Sequence, residues 1–323
     1  MGESLSLCSM IGIGTAAIGR PQYINLKPNG TNVPFQLKGF IEKGKSILTE
    51  AYEDGVRYFD TAPGYGIAES ILLEWISEYH PKDISVSTKW GYTYVANFDP
   101  HALVHEVKEH SLDKLNEQWE VSRQLLPYLR IYQIHSATLD SGVLENREVL
   151  ERLHQLKNEY NIKIGLSTSG DNQNEIIEKA LRVKVDQNDL FDSFQVTFNV
   201  FDQSLLKMSA LLEQENKTLI VKEALANGRI FPNKRYGHYE DVYVVLNKLS
   251  KKYKTSIDGV ALRFCLDVLH PFSVLSGASE SAHLTSNLKA HDFELSLEDL
   301  NELRGLAISP QFYWKERKNL PWV

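Results

Sequence analysis

A chain of 323 residues, 42% hydrophobic and 24% charged, can bury a large core, either as one barrel or as two ordinary domains. Its net charge of −7 at pH 7 argues against a nucleic-acid-binding protein, which would normally show a basic face. The sequence has no run of 18 apolar residues and no basic leader ahead of an apolar stretch, so we expect a cytoplasmic protein without membrane contact.

Short apolar runs alternate with longer amphipathic stretches along the chain. The runs predict strands that end at Thr15, Asp60, Lys89, His135, Ser167, Phe198, Lys222 and Ser276. Between them, apolar residues recur on one helical face in 47–52, 71–79 and 149–160, which predicts helices. Eight strand–helix units in succession, with strands apolar on both faces, indicate an α/β protein built as a closed (β/α)8 TIM barrel. We therefore predict a single barrel domain over residues 1–323.

An open, doubly wound sheet is the alternative architecture. It needs a glycine-rich nucleotide loop after the first strand with a helix directly behind it. The segment GIGTAAIG (12–19) supplies glycines, but Arg20-Pro21 and a loop of about 15 residues follow instead of a helix. The closed barrel is therefore favoured.

Two stretches interrupt the alternation of strands and helices. Residues 223–240 form a long loop after the seventh strand, and residues 309–323 form a C-terminal tail rich in aromatic residues. Loops of this length in a compact fold tend to be lids or binding loops. The tail can equally be an aromatic plug over one end of the barrel.

Ionisable residues stand at successive predicted strand ends: Asp60, Lys89 and His135, with Tyr65 in the loop after the second strand. Each alone has an ordinary structural explanation, but in a TIM barrel all four would meet on the C-terminal rim. A buried ammonium beside a phenol favours the phenolate and lowers its pKa, and a carboxylate holds the ammonium in place. A neighbouring imidazole can orient a carbonyl oxygen. The set predicts a general acid/base that protonates an oxyanion as hydride reaches carbon.

Three segments around these residues resemble the aldo-keto reductase family: GVRYFDTAPGYGIAESIL (55–72), ISVSTKWG (84–91) and LRIYQIHS (129–136). The similarity then continues in order over nearly the whole chain. It implies that Tyr65 is the proton donor, that Lys89 and Asp60 activate it, and that His135 orients the carbonyl group. It also implies a nicotinamide cofactor that exchanges hydride with a carbonyl or alcohol carbon.

The same resemblance implies a cofactor site at the other strand ends. The segments that carry it are GLSTSG (165–170), FQVTFN (194–199), VKEALANGRI (221–230) and LSGASESAHLTSN (275–287). Two departures stand out: Thr168 replaces the usual Asn, and Lys222-Glu223-Ala224 replaces the usual stacking aromatic and Ser-Pro. The implied cofactor residues are Gly14, Thr15, Ser167, Thr168, Gln195, Lys222, Ala224, Leu225, Gly228, Arg229, Gly277, Ser279, His283 and Asn287.

The form of the cofactor depends on charge near the adenosine end. No arginine or lysine lies between Gly277 and Ser286, where many NADP-preferring members of the family place one. Arg229, Lys234 or Arg235 of the long loop can supply that charge, and we favour NADP(H) over NAD(H). We expect no metal, because the two cysteines lack metal-ligand spacing.

Three functions are consistent with the sequence. The first is an NAD(P)H-dependent reductase of aldehydes or ketones, and the second is a sugar or secondary-alcohol dehydrogenase using the same site in reverse. The third is a nucleotide-binding regulatory protein like the potassium-channel β subunits, against which the intact catalytic set argues. The partner is in either enzymatic case a small carbonyl or alcohol compound. Specificity is expected to lie in the Arg20–Phe35 loop, Trp90, Tyr92, Tyr94, Phe201 and the tail.

Overall fold

The structure is a computed structural model that describes residues 10–22, 26, 35–99 and 101–322. Residues 23–25 and 27–34 of the loop predicted to govern specificity lie outside the described residues.

Parallel strands close into an eight-stranded barrel. In chain order they are β1 (Ile11–Gly14), β2 (Tyr58–Asp60), β3 (Ser85–Trp90), β4 (Leu129–Ala137), β5 (Lys163–Thr168), β6 (Ser193–Thr197), β7 (Thr218–Lys222) and β8 (Ser273–Ser276). Each strand pairs with the next, and β8 closes the barrel on β1 in the register Ile11↔Val274. The predicted (β/α)8 architecture is confirmed, because every strand ends within two residues of its predicted end.

Helices surround the barrel and pack their apolar faces against it. They are Leu37–Glu53, Ala68–Tyr79, Leu112–Ser122, Arg147–Tyr160, Gln173–Leu181, Leu206–Gln214, Glu240–Lys252, Ile257–Leu269, Ser281–Leu288, Leu297–Arg304 and Pro310–Lys318, together with the short Ala16–Gly19. The fourth of these shows how the sequence sets their bounds. The side chain of Asn146 accepts a hydrogen bond from the Val149 amide at its start, and left-handed Asn161 ends it. None of the helices in the described part of the chain is long and apolar enough to cross a membrane.

The two irregular stretches contain more regular structure than the sequence indicates. Residues 223–240 hold two 3-10 turns, Ala226–Gly228 and Lys234–Tyr239, before the next helix begins at Glu240. The tail contains the helix Pro310–Lys318, which we call the C-terminal helix and whose first turn is capped by Ser309. A hairpin of Tyr92–Tyr94 and Glu106–Lys108, which the sequence analysis did not anticipate, follows β3.

Glu69, in the helix that follows β2, is a buried carboxyl group behind the barrel wall. Its Oε1 accepts hydrogen bonds from Thr88 Oγ1 at 2.5 Å and from Ser122 Oγ at 2.9 Å. Its Oε2 has no hydrogen-bond partner among the described residues. Burial raises the pKa of Glu69 to about 7, although Thr88, Ser122 and Lys89 favour its ionised form. The carboxyl group therefore holds the Thr88 side chain of β3, next to Lys89, and is about half protonated at neutral pH.

A Glu69→Gln substitution is expected to stabilise the protein at pH 8 relative to pH 5. An unfolded glutamate ionises near pH 4.5 but the folded Glu69 only near pH 7, so the wild type loses stability as the pH rises between these values. The loss is about 3 kcal/mol once the pH exceeds both. Urea unfolding at the two pH values measures it, with Glu74→Gln on the exposed side of the same helix as control. An equal effect of Glu69→Gln at both pH values would contradict the expectation.

Candidate active site

The four ionisable residues singled out in the sequence meet at the C-terminal rim of the barrel. The Lys89 ammonium donates to Asp60 Oδ2 at 2.5 Å and to the Thr61 carbonyl oxygen at 3.0 Å, and both side chains of the ion pair are fully buried. Lys89 Nζ lies 4.8 Å from the centre of the Tyr65 ring. The rings of Tyr65 and His135 meet edge to face, with centroids 5.3 Å apart. The structure thus brings an acid, a cation, a phenol and an imidazole into one site.

Asp60 is the centre of a hydrogen-bond network inside the barrel. Its Oδ1 accepts from Ser87 Oγ at 2.6 Å, Gln195 Nε2 at 2.8 Å and Gln133 Nε2 at 3.4 Å. Ser87 and Gln133 were not among the residues predicted from the sequence. Each precedes a site residue by two positions, Lys89 in β3 and His135 in β4, and therefore points to the same side of its strand. That alternation was a usable signal.

The electrostatic surroundings of Tyr65 differ from the expectation. Burial and the Asp60 carboxylate raise the pKa of Tyr65 well above its usual value of 10, and Arg20 is the cation that opposes them. The neighbouring Lys89 was expected to lower this pKa. The direction is the opposite because burial disfavours the phenolate and the Asp60 carboxylate, which pairs with Lys89, adds to that effect. Tyr65 is consequently a neutral phenol at neutral pH.

His135 is a neutral imidazole at the same rim. Burial lowers its pKa well below 6.5, and the nearby Lys89 and Arg20 charges lower it further. The Tyr92 ring of the hairpin lies against the His135 ring with centroids 4.7 Å apart. The backbone carbonyl oxygen of His135 contacts His110 Nε2 at 2.9 Å. A neutral imidazole has one N–H donor, which is what a carbonyl oxygen needs in order to be oriented.

Several residues implied as cofactor ligands are engaged within the protein. Thr15 Oγ1 donates to the Asp60 carbonyl oxygen at 3.1 Å, directly after Gly14 at the end of β1. Ser167 Oγ accepts from the Ser136 amide at 2.8 Å, and Thr168 Oγ1 donates to a side chain of the following helix at 3.3 Å. Gln195, as described above, donates to Asp60. These contacts hold the strand ends in place.

The turn after β7 carries the two residues that depart from the family pattern. The Lys222 ammonium donates to Thr197 Oγ1 at 2.8 Å and lies 5.7 Å from the Trp314 ring. Glu223 has a left-handed backbone, with φ of 56°, and accepts from Arg317 Nη2 at 2.9 Å. Burial opposes ionisation of Glu223, but the Arg317 and Lys222 charges outweigh it and lower the pKa of Glu223 to about 2. The C-terminal helix is thereby tied to this turn by an ion pair.

Arg229 is fully buried and contacts the C-terminal helix. Its Nη1 donates to the Tyr313 carbonyl oxygen at 3.1 Å and to Glu316 Oε2 at 3.2 Å, both in the C-terminal helix. Its guanidinium lies 4.1 Å from the centre of the Tyr313 ring. Lys234 and Arg235 are exposed. Of the three expected loop cations, Arg229 is thus already neutralised.

Three further implied residues share the turn with Glu223. Ala224 is buried, Leu225 is half-buried and Gly228 has a positive φ of 83°.

The turn after β8 leads directly into the helix Ser281–Leu288. A Cβ added at Gly277 would meet no described atom within 4 Å, and no described side chain caps the first turn at Glu280. Ser279 is half-buried, His283 is exposed and Asn287 contacts Ser276 Oγ at 2.7 Å. The open backbone at this helix start is suited to an anion.

Lys43 reaches the same turn from the helix Leu37–Glu53 and pairs with Glu280. No local sequence pattern points to this lysine, because 237 positions separate it from Glu280. It is the cation that the fold brings beside the turn after β8. Among the residues that the structure describes, no cluster of three or more His, Cys, Asp or Glu side chains is arranged to hold a metal ion.

Comparison with known proteins places the chain in a family. Residues 11–308 match the model of the aldo/keto reductase family. The NADH-specific methylglyoxal reductase of Escherichia coli is 24% identical over 93% of this chain and 94% of its own length. The D-threo-aldose 1-dehydrogenase of a Pseudomonas species is 25% identical over 82% of this chain and 88% of its own length.

The fold likeness extends to solved structures. The glycerol dehydrogenase of Gluconobacter oxydans superposes with a TM-score of 0.70 at 21% identity, covering 93% of this chain and 91% of its own.

The burial of Arg229 predicts a structural role. Arg229→Met is expected to lower the free energy of unfolding by about 3 kcal/mol, because it leaves the Glu316 carboxylate without its buried partner. The exposed Arg235→Met serves as control and should change stability by less than about 0.5 kcal/mol. Urea unfolding gives both values, and NADP⁺ titration of the two variants follows binding. A weakened affinity for NADP⁺ with unchanged stability in Arg229→Met would show that Arg229 is a cofactor ligand instead.

Proposed function

The chain belongs to the aldo/keto reductase family, and we propose that it is a nicotinamide-dependent oxidoreductase that reduces an aldehyde or ketone to an alcohol. The observation that carries the proposal is the convergence of Asp60, Tyr65, Lys89 and His135 at one rim of the barrel. No single member of the set would suffice. Together they provide an acid, the charges around it, and a donor that orients the substrate oxygen.

The geometry suggests a role for each residue. A bound nicotinamide supplies the hydride that reaches the carbonyl carbon. The neutral His135 donates a hydrogen bond to the carbonyl oxygen and places it beside the Tyr65 hydroxyl group. As the carbon accepts hydride, the Tyr65 O–H bond breaks and its proton forms the new hydroxyl group of the alcohol. The phenolate that is left faces the Lys89 ammonium until solvent returns a proton.

The raised pKa of Tyr65 favours the reductive direction at neutral pH. A phenol that stays protonated is present in the form that reduction requires. Alcohol oxidation requires the phenolate, which burial and Asp60 disfavour. A sugar or secondary-alcohol dehydrogenase remains the second candidate, because relatives include a D-threo-aldose 1-dehydrogenase as well as a methylglyoxal reductase. For a regulatory nucleotide-binding protein, we would expect no turnover.

The described residues fit a dinucleotide at both ends of the proposed site. The open Gly277 and the uncapped helix start suit the phosphate groups. At the nicotinamide end, Ser167, Gln195 and Lys222 offer polar side chains at adjacent strand ends. Phe201, an aromatic near the β6 end, is fully buried against Tyr239 with ring centroids 4.3 Å apart and is therefore not free to cover the nicotinamide.

Cofactor preference depends on Lys43 and Glu280 in this proposal. NADP(H) is the preferred form, and Lys43, not Arg229, pairs with its additional phosphate. Glu280 opposes that preference, since its carboxylate neutralises Lys43 and would repel a phosphate group. One relative is described as NADH-specific, so the balance between these two side chains decides the outcome.

Replacing Tyr65 tests the proposed acid. Tyr65→Phe is expected to lower kcat for carbonyl reduction about a thousandfold while leaving the Kd for NADPH unchanged, because only the proton donor is lost. Tyr58→Phe is a matched control, since Tyr58 is a buried phenol that donates to Ser87 at 2.7 Å in the Asp60 network. Methylglyoxal and 4-nitrobenzaldehyde, each with NADPH and NADH, serve as substrates. A Tyr65→Phe enzyme within about tenfold of wild type, roughly 1.4 kcal/mol, would exclude Tyr65 as the donor.

Cofactor titration tests the adenosine end. Glu280→Gln is expected to tighten NADP⁺ binding about tenfold and NAD⁺ binding less, because NADP⁺ carries the additional phosphate beside the removed charge. Lys43→Ala should weaken NADP⁺ selectively, and Lys45→Ala, whose ammonium pairs with Glu78 on the neighbouring helix, is the control. Fluorescence titration gives both dissociation constants. Equal shifts for the two cofactors in either variant would place the additional phosphate elsewhere.

A further inference from the structure

Arg20 lies directly beside the loop that carries Tyr65. It follows the short helix Ala16–Gly19, and its side chain is only 3% exposed. Its Nη1 donates to the carbonyl oxygen of Gly64, the residue before Tyr65, at 3.0 Å. The guanidinium carbon lies 5.5 Å from the centre of the Tyr65 ring. Arg20 therefore contacts both the backbone and the ring of this loop.

The backbones of the two segments are packed against each other without room for side chains. A Cβ at Gly19 would lie 2.1 Å from the Tyr65 carbonyl oxygen, and a Cβ at Gly66 would lie 2.4 Å from the Gly19 carbonyl oxygen. The Ile67 amide donates to that same Gly19 oxygen at 3.0 Å. Movement of Arg20 and movement of the Tyr65 loop are consequently coupled.

Two other elements hold the Arg20 guanidinium in place. Glu106, in the hairpin after β3, accepts from Nη1 at 2.8 Å. Trp322, near the C-terminus, lies over the guanidinium with 4.9 Å between the guanidinium carbon and the ring centre. The other side of Trp322 stacks on His105, with ring centroids 4.4 Å apart. These contacts hold the Arg20 guanidinium in one orientation, so that its charge stays at a fixed distance from the Tyr65 ring.

We propose that Arg20 is a positioning residue for Tyr65, which fixes the Tyr65 loop through Gly64 and places a second cation beside the phenol. The proposal rests on the function proposed above, in which Tyr65 transfers the proton. Both cations are paired, Lys89 with the buried Asp60 and Arg20 with the partly exposed Glu106, which accepts from the same Nη1 that donates to the Gly64 carbonyl oxygen. Arg20 therefore adds a second positive charge, beside that of Lys89, which favours the phenolate left after proton transfer.

The charges around Tyr65 come from several elements, and they move the pKa of Tyr65 in both directions. Asp60 of β2, Glu106 of the hairpin and Glu223 after β7 each raise its pKa, and Arg20 lowers it. Lys89 of β3 faces the ring, and the neutral His135 of β4 adds no charge at neutral pH. The Arg20–Glu106 pair therefore contains one charge of each sign. Removal of the Arg20 charge should raise the pKa of Tyr65, and removal of the Glu106 charge should lower it.

The experiment is a titration of Tyr65 that does not depend on turnover. Protein labelled at the ζ carbon of tyrosine is followed by ¹³C NMR between pH 7 and about pH 11.5. Because the pKa of Tyr65 lies well above the ordinary value of about 10, the movement of its resonance at the upper end of this window measures the phenolate fraction of each variant before the midpoint is reached. The Tyr65 resonance is assigned by its absence in Tyr65→Phe. Arg20→Met is expected to move the titration to higher pH by about one unit, and Glu106→Gln to lower pH by a similar amount. Arg20→Lys keeps a positive charge and should stay closer to wild type than Arg20→Met.

The outcomes separate this proposal from the proposed function. A pKa of Tyr65 that increases from Glu106→Gln through wild type to Arg20→Met supports it. Equal pKa values in the three proteins, or the reverse order, overturn it. If Arg20→Met does not fold, the direction of the shift in Glu106→Gln decides. Retained activity in Tyr65→Phe would instead refute Tyr65 as the donor, whatever the titrations show. If kcat of Arg20→Met falls equally at all pH values and the pKa of Tyr65 does not change, the proposal is overturned and Arg20 has a structural role.

Discussion

The ion pair between Lys89 and Asp60 is the interaction on which the rest of the site depends. An ammonium inside a barrel must be paired, since a buried charge without its partner costs about 3–5 kcal/mol. Asp60 of β2 meets that need while it accepts hydrogen bonds from Ser87, Gln133 and Gln195, so that side chains of β3, β4 and β6 converge on one carboxylate. The same contacts that stabilise the barrel interior set the charge beside Tyr65. Stability and chemistry therefore share one group of atoms.

The rim above this pair is joined by charges that come from distant parts of the chain. Arg20 meets Glu106, Glu223 meets Arg317, and Arg229 meets Glu316. Each pair links a loop at a strand end to an element that packs over it, and the last two pairs both attach the C-terminal helix. Partly buried pairs of this kind fix direction more than they add stability, because desolvation offsets much of their attraction. They give the mouth of the barrel a defined shape.

The sequence predicts the barrel and its four rim residues because both follow from local patterns. Apolar runs end where strands end, and parallel strands bring their ends to one rim. The same patterns do not predict which charged side chains of a long loop turn inward, as Arg229 does, or that Lys43 reaches Glu280 across 237 positions. The direction of the Tyr65 pKa depends on burial and on the sum of several charges, so sequence proximity to Lys89 alone gave the wrong sign.

The position of Trp322 has a practical consequence for handling the protein. Its ring lies on Arg20 and His105 at the C-terminal rim, whereas residue 10 precedes β1 at the opposite end of the barrel. A purification tag or fusion partner that follows Trp322 would begin beside Arg20, which contacts the Tyr65 loop. The end that carries a tag therefore decides whether the tag begins near Tyr65.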